Sequence, residues 1–335
     1  MNYSEFLEYA AKNIKDYLPP EYQEADVRLD TVNKMSEQYT GLTVRQGDQT
    51  AAPVVNMKLF YEQYEVSGSL NQIMKDMANV VQMEKPPILG IDSLKDYEQV
   101  KDHLFIRVSS PEGNEEIMAD SPHRFEADLL MTYHIYMPSQ DAGFMSARVT
   151  NQMMESYGIT EQQIHDDAVI STAKLMPTRV QSMMKMLTGI EEEEPQMIIV
   201  TNEQGTLGAG ALFCTGVMDQ VKEVMKGDYF ILPSSQHEVI AVPDNGRFER
   251  SALESMVREA NRTVVNLTDK LSDEVYHYDS RNRLFERADA FEKRTQEKGM
   301  ERGSVLGKLQ EKKDQIERTA PVIGKDKLRQ TGLAM

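Results

Sequence analysis

MIIVTNEQGTLGAGALFCTGVMDQVKEVMKGDYFILPSSQHEVIAVP, residues 197–243, is the stretch whose reading decides the fold. Residues 197–201 (MIIVT) form a short β-branched run, which suits a pleated, buried strand. Residues 202–210 (NEQGTLGAG) place Gly205, Gly208 and Gly210 close together, and glycines there permit positive φ or a close backbone approach. A sharp strand-to-helix turn is the minimal reading. From 211 to 225 the apolar Leu212, Phe213, Val217, Val221, Val224 and Met225 recur at helical spacing, so one amphipathic helix is expected. Lys226 and Gly227 stop it, with a cation at the C-terminal end and a glycine just beyond. Residues 229–232 (YFIL) and 239–242 (VIAV) are two apolar runs joined by the polar PSSQHE, the pattern of a hairpin. A helix over 250–260 and a short strand over 275–278 complete this half.

The N-terminal half reads as layered α+β. An amphipathic helix spans 4–18, with Ser4 placed to cap it and Pro19-Pro20 ending it. Residues 25–32 and 41–45 alternate polar and apolar, which predicts two antiparallel strands with one wet face, and 52–56 adds an edge. Helices are expected over 57–66, 69–83 and 92–100. Strands follow over 103–109, 125–137 and 147–149, the last after a turn at Gly143. Two more helices cover 151–157 and 161–175, behind the caps Thr150 and Thr160; Gln163 stands at the capping-box position of the second. Glu191–Glu194 with Pro195 reads as a solvated acidic joint.

The expected architecture is therefore α+β. It has two mixed α/β layered halves, 1–189 and 196–288, and a charged, partly helical or flexible tail over 289–335. Gly299, Gly303 and Gly307 weaken any helix in that tail.

The chain's 335 residues suffice for about two domains, and an apolar content of 40% is that of a globular protein. Its 22 methionines and absent tryptophan read as flexible core filling. A single cysteine excludes an internal disulfide and a cysteine-cluster metal site. With a polar start lacking a signal-peptide core and no membrane-length apolar run, a soluble cytoplasmic protein is expected. Residues 281–335 carry 14 Lys and Arg against 9 Asp and Glu, and the rest 23 against 45, within a net charge of −17. Such an acidic body repels phosphate backbones, so nucleic acid is a poor partner for it; a protein partner stays open.

Five segments carry a resemblance: ADLLMTYHIYM (127–137), VTNQMMESYGITEQQIHDDAV (149–169), IIVTNEQGTLGAGALF (198–213), FILPSSQHEVIAVPD (230–244) and LSDEVYHYD (271–279). Together they resemble a family of unknown function from Firmicutes-type gut bacteria and, distantly, the YtpQ family. The likeness spans roughly residues 3–286. It implies a bacterial, intracellular protein and carries over no activity, cofactor or catalytic residue.

The residues themselves offer candidates. Gly205, Gly208 and Gly210 sit between a strand and a helix, where amides and a helix N-terminus can hold an anion. The spacing is neither the dinucleotide fingerprint nor, without a following Lys-Ser or Lys-Thr, a Walker loop. Close packing is the plainer reading. Ser234, Ser235 and His237 lie together in the hairpin connection, with Cys214 a further nucleophile, but nucleophilic catalysis needs hydrogen-bond reach and an orienting third group. His277 and Asp279 with His237 or His165 are the atoms a metal would need, though no ligand spacing joins them. Ligand-binding candidates are thus Asn202, Gly205, Gly208, Gly210, Ser234, Ser235 and His237, with no catalytic residue, metal or cofactor assigned. The leading expectation is a non-enzymatic intracellular binding or interaction protein. The alternative is an enzyme or sensor acting on a small phosphorylated ligand at the 202–210 turn.

Overall fold

The computed structural model describes residues 1–34, 37–47, 52–82, 91–138, 144–298 and 312. Residues 1–288 form one compact unit and 289–335 a second, in which 289–298 are helical. The expected turn at Gly143 and the tail beyond 298, apart from residue 312, lie outside the described residues. The unit 1–288 is mixed α+β, as its interleaved helical and alternating patterns require.

Helix α1 (Tyr3–Asn13) is capped by Asn2 rather than by Ser4. A capping box needs an acid or amide three residues on, and that residue is Glu5: Glu5 N–H donates to Asn2 Oδ1 at 3.0 Å, and Asn2 N–H to Glu5 Oε2 at 2.9 Å. Strands β1 (Asp26–Lys34), β2 (Glu37–Arg45) and β3 (Val54–Asn56) follow as an antiparallel sheet in that order. Helices α2 (Met57–Ser67) and α3 (Leu70–Val81) close a core of Phe6, Ile14, Leu42, Val55, Met74 and Met77.

After a short helix α4 (Tyr97–Val100) come β4 (Leu104–Ser109), helix α5 (Glu115–Asp120), β5 (His123–Glu126), β6 (Leu129–Pro138) and β7 (Phe144–Arg148). The single strand expected over 125–137 is in fact a hairpin. The chain reverses at Ala127, whose φ is +54°, and pairs Glu126 with Leu129. Apolar residues continue across that turn, so the pattern alone did not mark it. Strand β6 is central, pairing with β4 and, over successive segments, with β5 and β7.

Helices α6 (Asn151–Tyr157) and α7 (Glu161–Leu175) start at Thr150 and Thr160, whose side chains accept from Met153 N–H and Gln163 N–H, both at 3.2 Å. Strand β8 (Thr178–Ser182), helix α8 (Met183–Thr188) and β9 (Ile198–Asn202) come next. The division expected at 189–196 falls between two paired strands, with Val180 opposite Val200. One apolar cluster takes Leu104, Ile106 and Tyr133 from before it and Ile198, Leu212 and Tyr229 from after it. The acidic run thus lies on the surface in the connection between two neighbouring strands of one sheet.

The expected continuous helix over 211–225 is broken. A 3₁₀ segment covers Gly208–Phe213, and helix α9 covers Val217–Met225. Between them Gly216 takes φ +81°, a left-handed conformation that glycine adopts at little cost. Strands β10 (Tyr229–Ser235) and β11 (Glu238–Pro243) form the expected hairpin, and β11 pairs with β9 through Val239–Val200 and Ile240–Ile199. Helix α10 (Arg250–Thr263), β12 (Tyr276–Asp279) and β13 (Leu284–Arg287) complete the unit. The six-stranded antiparallel sheet runs β13-β12-β10-β11-β9-β8. Strand β13 escaped the sequence reading because four residues bordering a charged tail carry too little alternation. Among the described residues, no helix is long and apolar enough to cross a membrane.

Candidate functional site

The glycine turn and the β10–β11 hairpin meet, because β9 and β11 are neighbours and their ends coincide. Asn202, buried at the end of β9, closes the turn on itself. Its Nδ2 donates to Thr206 O at 2.8 Å, its Oδ1 accepts from Thr206 N–H at 3.3 Å, and its carbonyl accepts from Gly205 N–H at 3.1 Å. Leu207 N–H donates to His237 Nδ1 at 3.2 Å, Ala209 N–H to Gln236 O at 3.1 Å, and Thr201 Oγ1 to His237 O at 2.7 Å. Gly208 is required by space: a Cβ there would lie 2.5 Å from His237 O and 2.8 Å from Asn202 N. At Gly210 it would lie 2.8 Å from Ile106 O on β4. Gly205, at φ +65°, has open space around it.

This geometry leaves little for an anion. The amides of 205, 206, 207 and 209 each already have a protein acceptor. Arg107 on β4 donates to Gln236 Oε1 through Nε and Nη2 (3.2 and 2.7 Å), and burial pushes its guanidinium down to about 10 against the pull of Asp269.

His237 is fixed from both sides. Accepting at Nδ1 puts its ring proton on Nε2, which faces Asp269 Oδ1 at 3.5 Å. Ser235 Oγ accepts from the backbone N–H of His237 at 3.1 Å, a local turn bond, while the ring nitrogens of His237 face Leu207 N–H and Asp269. Ser234 lies in β10 where its register against β11 shifts, between Leu232 and Ser235. His277 is fully buried with Nε2 3.0 Å from Asp244 Oδ2, and Asp279 holds Asn282. The pieces of the metal reading are therefore dispersed. Among the described residues, no group of three His, Cys, Asp or Glu could hold a metal ion.

A cleft of about 270 Å³ lies elsewhere on the same unit. The last residue of β5 supplies Glu126, α7 supplies His165, the break between the 3₁₀ segment and α9 supplies Cys214 and Gly216, α9 supplies Asp219, and β12 supplies Tyr278. Met131, Leu212, Phe213 and Met218 add apolar wall. Had 211–225 been one helix, the Gly216 break that opens this wall would not exist.

Its groups have distinct electrostatic states. Burial raises the Glu126 carboxyl above its ordinary value, opposed by Arg124, whose guanidinium donates to Gln162 at 2.7 Å. No described residue hydrogen-bonds to the Glu126 carboxylate or forms an ion pair with it. Burial and Arg124 lower the His165 ring, opposed by Asp166, and its Nδ1 lies 3.1 Å from Tyr133 OH. Burial pushes that phenol up to about 12, so Tyr133 keeps its proton at neutral pH, and its OH and His165 Nδ1 share a hydrogen bond. Burial also raises the Cys214 thiol to about 11, and its Sγ faces Gly210 O at 4.0 Å. A thiol so raised is protonated at neutral pH and is a poor nucleophile. Asp219 pairs with Arg283 at 2.9 Å and accepts from Tyr278 OH at 3.5 Å.

Of the cleft's lining, Cys214 and His165 are candidates on sequence grounds, whereas Glu126, Asp219 and Tyr278 are not. They come from separate elements and share no motif; Gly216, seated within the apolar periodicity, was the one local sign of a break.

The model of one family, described as a family of unknown function (DUF5688), matches residues 3–280. No curated protein and no solved structure matches the chain.

Proposed function

The chain belongs to the DUF5688 family, a family of unknown function, and we propose that it is a binding protein rather than an enzyme, taking a small molecule in the cleft that Glu126, His165, Cys214 and Asp219 line. The observation that carries this reading is Glu126, a partly buried carboxylate with no hydrogen-bond or ion-pair partner among the described residues, in a concave setting of mixed polar and apolar side chains. Ligand sites combine apolar walls with a few convergent polar groups, and a volume of about 270 Å³ suits a compact ligand. A binding role is favoured over chemistry because the cleft's thiol is held protonated and His165 Nδ1 is occupied by Tyr133. A phosphorylated ligand at 202–210 finds less support, since the amides of 205, 206, 207 and 209 already have acceptors.

The same reading puts the protein in the reducing interior of a bacterial cell. Its one cysteine is a buried free thiol, and the segment resemblance is to bacterial families. The acidic balance disfavours nucleic acid as a partner.

A thermal-shift screen of small metabolites on the full chain tests the proposal, because a ligand that binds only the folded state raises Tm. Met218→Trp fills the cleft and serves as the control. Compounds that raise the Tm of the wild type but not of this variant are expected. Hits that act equally on both would sink the cleft, and hits chemically converted during incubation would sink the non-enzymatic role.

A further inference from the structure

We infer that the cleft's ligand is a compact organic cation, an amine with an apolar body, its charged end against Glu126 and its body on Met131, Phe213 and Met218. This rests on the binding role proposed above and adds the chemistry of the ligand.

The charges around the cleft favour that class. Two carboxylates, Glu126 and Asp219, line it, and among the described residues no lysine or arginine does. The cations nearby are engaged: Arg124 donates to Gln162, and Arg283 pairs with Asp219. Arg283 is 73% exposed, so its bond to Asp219 is a solvent-screened surface pair that an entering cation can displace. His165 is drawn toward its neutral form and adds no positive charge at neutral pH. An entering anion would meet two like charges with no cation lining the site among the described residues, whereas an ammonium gives Glu126 a direct ion-pair partner, which no described residue supplies.

The walls fit the rest of the molecule. Thioethers and an aromatic face adapt to methylene groups, and aromatic faces attract cations. Met131 and Met218 stand with Phe213 and Tyr278 around the two carboxylates. The body's net negative charge also draws cations toward the surface before contact.

The test is calorimetric titration of the full chain with three probes of one shape: benzylamine, benzyl alcohol and benzoate. Benzylamine is expected to bind roughly tenfold or more tightly than the other two, the scale of a hydrogen bond to a charged group. That advantage should vanish in Glu126→Gln and persist in Glu112→Gln, which removes an exposed carboxylate outside the cleft. If the alcohol or benzoate binds as tightly as the amine, and Met218→Trp abolishes all binding, the cation inference fails while the cleft reading stands. If no probe binds, or binding survives Met218→Trp, both fail. An amine advantage that persists in Glu126→Gln also overturns the inference.

Discussion

Leu207 N–H donates to His237 Nδ1 at 3.2 Å, tying the tip of the glycine turn to the tip of a hairpin 30 residues later. The bond makes His237 a fastener: its second nitrogen faces Asp269, and its carbonyl holds Thr201. His237→Ala removes the acceptor of a half-buried amide and is expected to cost about 1–2 kcal/mol, read as a lower urea midpoint. His237→Asn, whose Oδ1 can stand where Nδ1 stood, should recover part of the loss. Equal stability of wild type and His237→Ala would show that the bond contributes nothing.

Gly208→Ala puts a methyl 2.5 Å from His237 O and 2.8 Å from Asn202 N, both backbone atoms that cannot rotate away. A loss of about 2–3 kcal/mol is expected from such overpacking. Gly205→Ala meets open space and suffers only from its φ of +65°, worth about 1–2 kcal/mol. Thermal melts of the two variants side by side check the order, and Gly205→Ala as the more damaging change would contradict it.

The Cys214 thiol, raised to about 11 by burial, should resist iodoacetamide at neutral pH in the native protein and react readily once unfolded. Linkage gives the sign for stability. The folded state holds this proton more tightly than the unfolded chain, so its contribution is present below the ordinary thiol value of 9.0 and is lost as pH rises through about 11. Cys214→Ser should weaken that alkaline dependence. Rapid alkylation of the native protein at neutral pH would refute the raised thiol.

Glu126 bears the opposite sign to a carboxylate held by a cation. Burial raises its folded value, so the group disfavours folding above the ordinary carboxylate range, and the penalty disappears as pH falls through it. Glu126→Gln is therefore expected to leave the neutral-pH Tm unchanged or higher while weakening amine binding. A clear drop in Tm would mean that the carboxylate stabilises the fold and would remove the case for an unsatisfied ligand anchor.

Local pattern carried much of the architecture. The cap at Thr160, the helix behind it, and the β10–β11 hairpin were legible because capping and alternation are interactions among residues a few positions apart. The same locality explains the errors. Asn2 outranked Ser4 as a cap because Glu5 completes the box, Ala127 reversed a run whose apolar character continues across it, and Gly216 broke a helix whose periodicity continues past it.

What the sequence by itself determined is the type and place of most elements, the acidic balance and the lone thiol, all properties of neighbours along the chain. Only the tertiary structure decided that His237 is held by Leu207, and that Glu126, His165, Asp219 and Tyr278 line one cleft. Those meetings depend on β9 lying beside β11, on β12 lying beside β10, and on α7 packing against β4 and β6. Sheet order is a choice among long-range pairings whose free energies come from burial of the whole core, and no periodicity within a segment encodes it.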